Sequence, residues 1–451
     1  MRKCLVLLLS SIIPLAFCST GALARTAPAA ADDAAAATLP APPAWLDELD
    51  ALYEAHLRVP GLEERRFQPE QWWAVVDPLL ADAHRFGVEE VGRSAEGRPL
   101  RHLAWGEGPT QVLLWSQMHG DESTASMALA DLLHLLARHP EHPLVQRLYA
   151  TTRLHLLPIV NPDGAARFQR RNAQGIDINR DARALASREA RVLHGLRERI
   201  RPDYGFNLHD QQVGYRAGAS ERGTAIALLA PPSNAARDID PARARAIQLA
   251  VAVRAALEPR IGGHLAKWDD TYNPRAFGDL TAAAGVSTLL IESGGIEGDL
   301  QKQRLRKLNF LALAAALDAI ATGSHLHLSH APYDELPANG EVWPDLLIAG
   351  GTLVLPGRTP ARADLQVDFS EPLLERGGSI EDIGDLGHVR ARRVIDASGL
   401  YVHPLREDVR LAPRAPAQLR LTRDPEGRDV VWTLAGDVDP AAPAPATAPR
   451  G

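Results

Sequence analysis

The chain has 451 residues, 45% of them hydrophobic and 23% charged, with a formal charge of −7. That length admits two or three domains, and that balance excludes a chain that is disordered throughout. Net negative charge, with only short basic clusters such as Arg167 to Arg171 and Lys302 to Lys307, excludes nucleic acid as an expected partner.

Residues 1–24 carry Arg2 and Lys3, an apolar stretch from Cys4 to Phe17, and then Ala22-Leu23-Ala24. This is the pattern of a secretory signal, with cleavage expected after Ala24 and export to the periplasm or the exterior. Both cysteines, Cys4 and Cys18, fall inside it, so the exported form is expected to hold neither thiol nor disulfide. Bulky Phe17 before Cys18 argues against lipid attachment there. No later stretch approaches the roughly 20 apolar residues that cross a bilayer, so no membrane span is expected.

Residues 25–43, mostly Ala, Pro and Asp, read as a disordered linker. Folding is expected from residue 44, where Ala44 to Arg66 looks short and helical. From 44 to 322 short β-branched or leucine-rich runs alternate with longer amphipathic ones, which predicts an α/β domain with a mostly parallel or mixed sheet flanked by helices. Strands are predicted at Gln111 to Ser116, Leu154 to Val160, Tyr204 to Leu208, Ala225 to Leu229 and Ser287 to Ile291. Helices are predicted at Ser123 to Arg138, Ser187 to Ile200, Pro241 to Leu257 and Leu300 to Ala321, the third opened by the N-cap Asp240 and Pro241. Residues 323–436, with runs at Asp345 to Ile348, Thr352 to Leu355 and Arg392 to Ile395 broken by Gly and Pro, read as a small all-β accessory domain. Residues 437–451 read as a disordered tail.

The candidate chemistry falls just after the predicted strands, where open α/β sheets bind ligands. His119-Gly-Asp-Glu122 follows the first strand and offers two metal-binding side chains from one turn, and His209 follows the third. Two histidines and one carboxylate match a zinc site with its fourth position open. Asp177 supplies a carboxylate that can accept the free ring N–H of a metal-bound histidine. Glu292 ends an apolar strand, a costly place for a charge without a task. Zinc lowers the pKa of bound water from about 15.7 towards 7, and a nearby carboxylate can take the proton as the water attacks a carbonyl.

In order along Glu89 to Gly295, the motifs Gly92-Arg-Ser-Ala-Glu-Gly97-Arg98, His119-Gly-Asp-Glu122, Asn161-Pro-Asp-Gly164, Arg170 to Arg180, Asn207-Leu-His209 and Ile291-Glu292 resemble the zinc carboxypeptidases of the A, B and E type, bacterial branches above all. The resemblance implies one zinc ion on His119, Glu122 and His209, with Glu292 as general base and then proton donor. It implies Arg170 as the carbonyl-polarising arginine, with adjacent Arg171 as the rival assignment, and Asn179 with Arg180 as the grip on a substrate's terminal carboxylate. Arg98 resembles a secondary substrate contact, a surface ion pair being the alternative, and Tyr272 is the nearest match to the family's tyrosine flap. Asp181 and Asp210-Gln-Gln depart from the animal enzymes. The implied substrate is a peptide or a cell-wall peptide, with no obligate protein partner evident.

Two other readings stand beside this one: a non-catalytic peptide- or glycan-binding protein on the same scaffold, and an aspartoacylase-like deacylase of small N-acyl amino acids. His325-Leu-His327 has the spacing of amidohydrolase metal sites, and the segments around Asp345 and Asp396 resemble the β part that flanks amidohydrolase barrels. The order is wrong for that activity and no barrel follows. His325 and His327 are therefore expected on one exposed strand face.

Overall fold

A computed structural model describes residues 38–82 and 85–435. The expected signal at 1–24, most of the expected linker and the tail lie outside the described residues. Nine strands occupy the first part: β1 (Phe86–Arg93), β2 (Pro99–Trp105), β3 (Thr110–Ser116), β4 (Thr152–Leu157), β5 (Tyr204–Asp210), β6 (Tyr215–Ala217), β7 (Ile226–Leu229), β8 (Leu265–Lys267) and β9 (Ser287–Ser293). Eight of them form one sheet in the order β1-β2-β4-β3-β5-β9-β7-β8. The centre, β4-β3-β5-β9, is parallel, whereas β1/β2, β2/β4 and β7/β9 are antiparallel. The sheet is thus mixed, because a turn as short as Ser94 to Arg98 can join β1 and β2 only as a hairpin.

Alternation along the strands sets the two helical layers. Val112 and Leu114 of β3 face one cluster, with the helices Thr124–Arg138, Pro241–Ile261 and Gln303–Thr322. Leu113 and Trp115 face the other, with Leu193 and Leu196 of the helix Arg188–Ile200. Asp240 caps its helix as expected, accepting from the backbone N–H of Ala242 and Arg243 at 2.9 Å each. The helix Trp45–Leu52 and the π-turn Tyr53–Leu57 bury Leu46, Leu49 and Tyr53 in the first cluster, and Leu39 packs partly against it. Docking is locked by Arg306, fully buried, which bonds Asp131 at 2.6 and 2.7 Å and the carbonyls of Val59 and Leu62. Tyr53 donates to the same carboxylate at 2.6 Å.

The short strand β10 (Asn339–Val342) pairs with β6 and leads into a second sheet. That sheet comprises β11 (Leu346–Leu353), β12 (Ala361–Glu371), β13 (Arg376–Gly384), β14 (Arg393–Asp396), β15 (Tyr401–Pro404), β16 (Gln418–Thr422) and β17 (Val430–Ala435). Its own core holds Ile348, Leu365, Val367, Ile380, Val402 and Leu419. The two runs expected around Asp345 and Thr352 are one strand, continued across a register shift between Ile348 and Gly351, with Gly350 at φ +75°.

One expectation fails. His325 and His327 lie in a single 3-10 turn, Ser324–His327, and not on an exposed strand face. His325 is buried, bonding the Tyr204 hydroxyl at 2.9 Å and the Ala319 carbonyl at 2.8 Å. With one ring nitrogen on β5 and the other on the last turn of the preceding helix, this histidine is a structural group.

Candidate metal centre and cleft

β3 ends at Ser116, and the chain turns through Gln117 at φ +50° before His119 and Glu122. Gly120 in that turn lies against the backbone of Gly164 and Ala165. A Cβ there would come within 2.0 Å of the Gly164 carbonyl carbon, so the approach requires glycine. The Glu122 N–H donates to the His119 carbonyl at 3.2 Å, closing a turn that puts both side chains on one side. His209 comes from β5 and Glu292 from β9, directly opposite each other in the parallel register. The site therefore sits at the carboxyl ends of β3, β5 and β9.

His119 Nδ1 lies 2.7 Å from one oxygen of Glu122, and His209 Nδ1 lies 2.7 Å from the other. All three residues are buried, and their donor atoms fall within 4.8 Å of one another, a group that could hold a metal ion. Two imidazoles and one carboxylate fit zinc and leave its fourth position open. His119 Nε2 meets Asp177 Oδ1 at 3.2 Å, as expected for the carboxylate that fixes the ring's tautomer. His209 Nε2 lies 3.3 Å from Asn179 Nδ2, and Asn179 is held by the Phe277 N–H at 2.9 Å.

Electrostatics follow this crowding. Burial opposes protonation of His119, but the Glu122 carboxylate and Asp177 outweigh it and lift the ring to about 9. Burial lowers His209. Burial works to raise Glu122 and Asp177, yet both are held below the usual carboxylate range, Glu122 by the two histidines and Asp177 by His119 and Arg170. Glu292 is pushed well above it, by burial first and then by Glu122 and Asp210. Its Oε2 is buried without a protein partner.

Arg170 is the arginine at the centre. Its Nη1 lies 3.2 Å from His119 Nδ1 and 3.4 Å from Glu122, and its Nε donates to Asp177 at 3.1 Å. Arg171 instead donates to the Gly175 carbonyl at 3.0 Å, on the exposed side of its loop. Asn179, Arg180 and Tyr272 line the same cleft as the metal group and Glu292. Arg98 is not brought there. It pairs with the fully buried Asp163 at 2.8 Å and with Glu96 at 2.7 Å, because the β1 to β2 turn folds back over that carboxylate.

The two departures part company. Asp181 serves its own loop, accepting from Ala186, from the Ser187 N–H and from the Ser187 hydroxyl at 2.7 to 2.9 Å. Asp210 stays at the site, where its Oδ2 accepts from Lys302 Nζ at 2.9 Å and Thr124 at 2.6 Å. Lys302, buried and left-handed at φ +54°, also donates to the Ser293 carbonyl at 3.2 Å. It thereby ties the residue after His209 to the residue after Glu292. Sequence reasoning missed it, since a lone lysine opening a helix carries no signal. Asp279 also lines the cleft; it accepts from the Asn273 N–H at 2.8 Å, and burial raises it to about 6.

The cleft has a volume of about 1060 Å³. It is also lined by Trp343 and Asp345, from the segment between β10 and β11, and by Gln366, Asp368, Phe369 and Ser370 of β12. The alternation Leu365-Gln-Val-Asp-Phe-Ser370 was the readable sign of that face.

Comparison with known proteins agrees with the motifs. Residues 78–195 match the zinc carboxypeptidase family, Peptidase_M14. That segment contains His119, Glu122, Arg170, Asp177, Asn179 and Arg180, and ends before His209 and Glu292. Human carboxypeptidase Z is 34% identical over 131 residues, covering 24% of this chain and 20% of that protein. An uncharacterized protein of Zymomonas mobilis is 34% identical over 117 residues, covering 25% of this chain and 30% of its own. The matched part thus spans about a fifth to a third of these relatives. Among solved structures, a metallo-carboxypeptidase from Burkholderia cenocepacia has a TM-score of 0.47 at 20% identity, covering 58% of this chain and 70% of that one. Carboxypeptidase A from Helicoverpa armigera has a TM-score of 0.47 at 15% identity, covering 62% and 81%.

Proposed function

We propose that this chain, which carries a zinc carboxypeptidase domain, hydrolyses the amide bond next to a free terminal carboxylate of a peptide. The observation that carries the reading is one cleft holding His119, Glu122, Glu292, Arg170 and Arg180 together, with His209 paired to Glu122 beside it. Zinc, when bound by His119, Glu122 and His209, supplies an acidified water and a Lewis acid.

The chain's own residues do the rest. Arg180, a planar donor, grips the terminal carboxylate with Asn179 beside it. Arg170 donates to the carbonyl oxygen as charge develops there. Glu292 takes the proton from the attacking water and delivers it to the leaving amine as the C–N bond breaks. Burial, then Glu122 and Asp210, raise its pKa, which favours holding the proton it must return. Tyr272 closes over the substrate from the Trp268 to Pro274 loop.

Export is part of the reading, supported by the signal pattern at Met1 to Ala24. No helix among the described residues is long and apolar enough to cross a membrane. The test is mass spectrometry of peptides and cell-wall peptides incubated with zinc-loaded protein, with free against amidated C-termini. Loss of terminal residues from the free acids alone is expected. Equal cleavage of both would remove Arg180 from its role, and activity confined to small N-acyl amino acids would favour a deacylase.

A further inference from the structure

The second sheet does more than share a border with the cleft. Over residues 365–370 β12 alternates: Leu365, Val367 and Phe369 pack in the core of their own sheet, whereas Gln366, Asp368 and Ser370 line the cleft, whose edge Phe369 also reaches. This face is fastened to the metal-binding strand. Asn339 Nδ2 donates to Gln211 Oε1 at 2.7 Å, two residues beyond His209, and the Trp343 N–H donates to the Gly214 carbonyl at 3.0 Å. Gly214 is packed so closely that a Cβ would meet the Trp343 carbonyl oxygen at 2.4 Å. The Arg216 guanidinium lies 4.3 Å from the Trp343 ring and holds it from the other side of the junction. Asp368 Oδ1 is fixed by the Asp345 N–H at 3.0 Å, and Asp345 is fixed by Arg392 at 2.7 Å.

Resting on the carboxypeptidase reading, we propose that the polar face of β12 is a substrate wall that binds the part of a linear peptide on the amino side of the bond to be cut. A terminal carboxylate held by Arg180 leaves only the amino-side chain to run past Glu292 and along the remaining wall. Gln366 and Ser370 present both donors and acceptors, as the N–H and C=O groups of an extended peptide require. The cleft, about 1060 Å³, lies just above the roughly 300–1,000 Å³ range of small-molecule pockets, larger than a single terminal residue needs. Substrates are therefore peptides of three or more residues, selected by length upstream of the cut.

The test is calorimetric binding of N-acetylated free-acid peptides of two and of five residues to the zinc-loaded Glu292→Gln protein. The longer peptide should bind about tenfold more tightly, as one or two added hydrogen bonds would give. Gln366→Ala combined with Asp368→Asn should reduce its affinity to that of the shorter one. Asparagine keeps an oxygen acceptor for the Asp345 N–H, and equal thermal melts would show the sheet intact. Equal affinities for the two lengths, or an increment that survives in the double variant, would overturn the wall. Turnover by the unmodified protein reports separately: no cleavage alongside length-dependent binding refutes the hydrolase and leaves the wall standing.

Discussion

The two sheets meet at one cleft and handle polar groups in opposite ways. At the ends of β3, β5 and β9, charged side chains are buried and lean on one another: Glu122 between two histidines, Asp210 on Lys302, Glu292 with an unpartnered oxygen. On β12, from Leu365 to Ser370, polar side chains alternate with apolar ones that pack into the core of their own sheet. The first arrangement is destabilising unless something is bound or some reaction is served. The second leaves its polar groups partly solvated, so folding asks little of them. Buried charge is thus concentrated at the strand ends of the first sheet, and half-exposed polar groups stand on the second.

Ways to break that contrast begin with the largest effect. Glu292→Gln should lower kcat by about 10²- to 10⁴-fold, the usual loss for a general acid–base group, while metal analysis still finds one zinc per chain. Loss of zinc along with activity would instead make Glu292 part of the metal site. Next is the buried pair that docks the N-terminal helix. Arg306→Met leaves Asp131 unpaired in the core, and denaturant melts should show a loss of about 3–5 kcal/mol. A change under about 1 kcal/mol would mean that the Tyr53 and Val59 bonds suffice to hold the carboxylate.

Arg180→Met tests the carboxylate grip. It should raise KM for free-acid peptides about 10- to 100-fold and leave amidated peptides unaffected, in line with the strength of charge-assisted bonds. The smallest effect concerns His102 and His155, stacked across β2 and β4 with 3.0 Å between ring nitrogens. Burial, then the cations Arg199 and Arg153, depress His102 to about 4; burial, then His102, depress His155 to about 3. Between roughly pH 6.5 and these values the unfolded chain binds more protons than the folded one, so stability falls as pH drops through that window. His155→Gln should flatten the slope of stability against pH there, and an unchanged slope would show that the pair does not control it.

Much of this was readable beforehand, for a physical reason. Strands β3, β5 and β9 are buried on both faces and announce themselves as apolar runs, and a buried charge at the end of such a run is conspicuous. His119, Glu122, His209 and Glu292 were found that way. The hairpin of β1 and β2 was not, because β1 is largely exposed and carries Glu89, Glu90 and Arg93 among few apolar residues. Arg98 stayed open between a substrate contact and an ion pair because its partner Asp163 lies far away in sequence, and the ion pair is what forms. Choosing between Arg170 and Arg171 needed the direction of each side chain, which one residue's difference in position cannot give. His325 was expected on an exposed strand face from the spacing of its pair, and its burial against Tyr204 and Ala319 shows why spacing is weak.

On the proposed reading, His119, Glu122 and His209 hold one zinc ion that the reaction requires. Metal-free protein titrated with zinc, with hydrolysis of a free-acid peptide followed at each addition, addresses it most directly. Activity should rise linearly and reach its plateau at about one equivalent, and His209→Ala should remove both the tight binding and the activity. Full activity in the metal-free protein, or in the His209→Ala variant, would contradict the account.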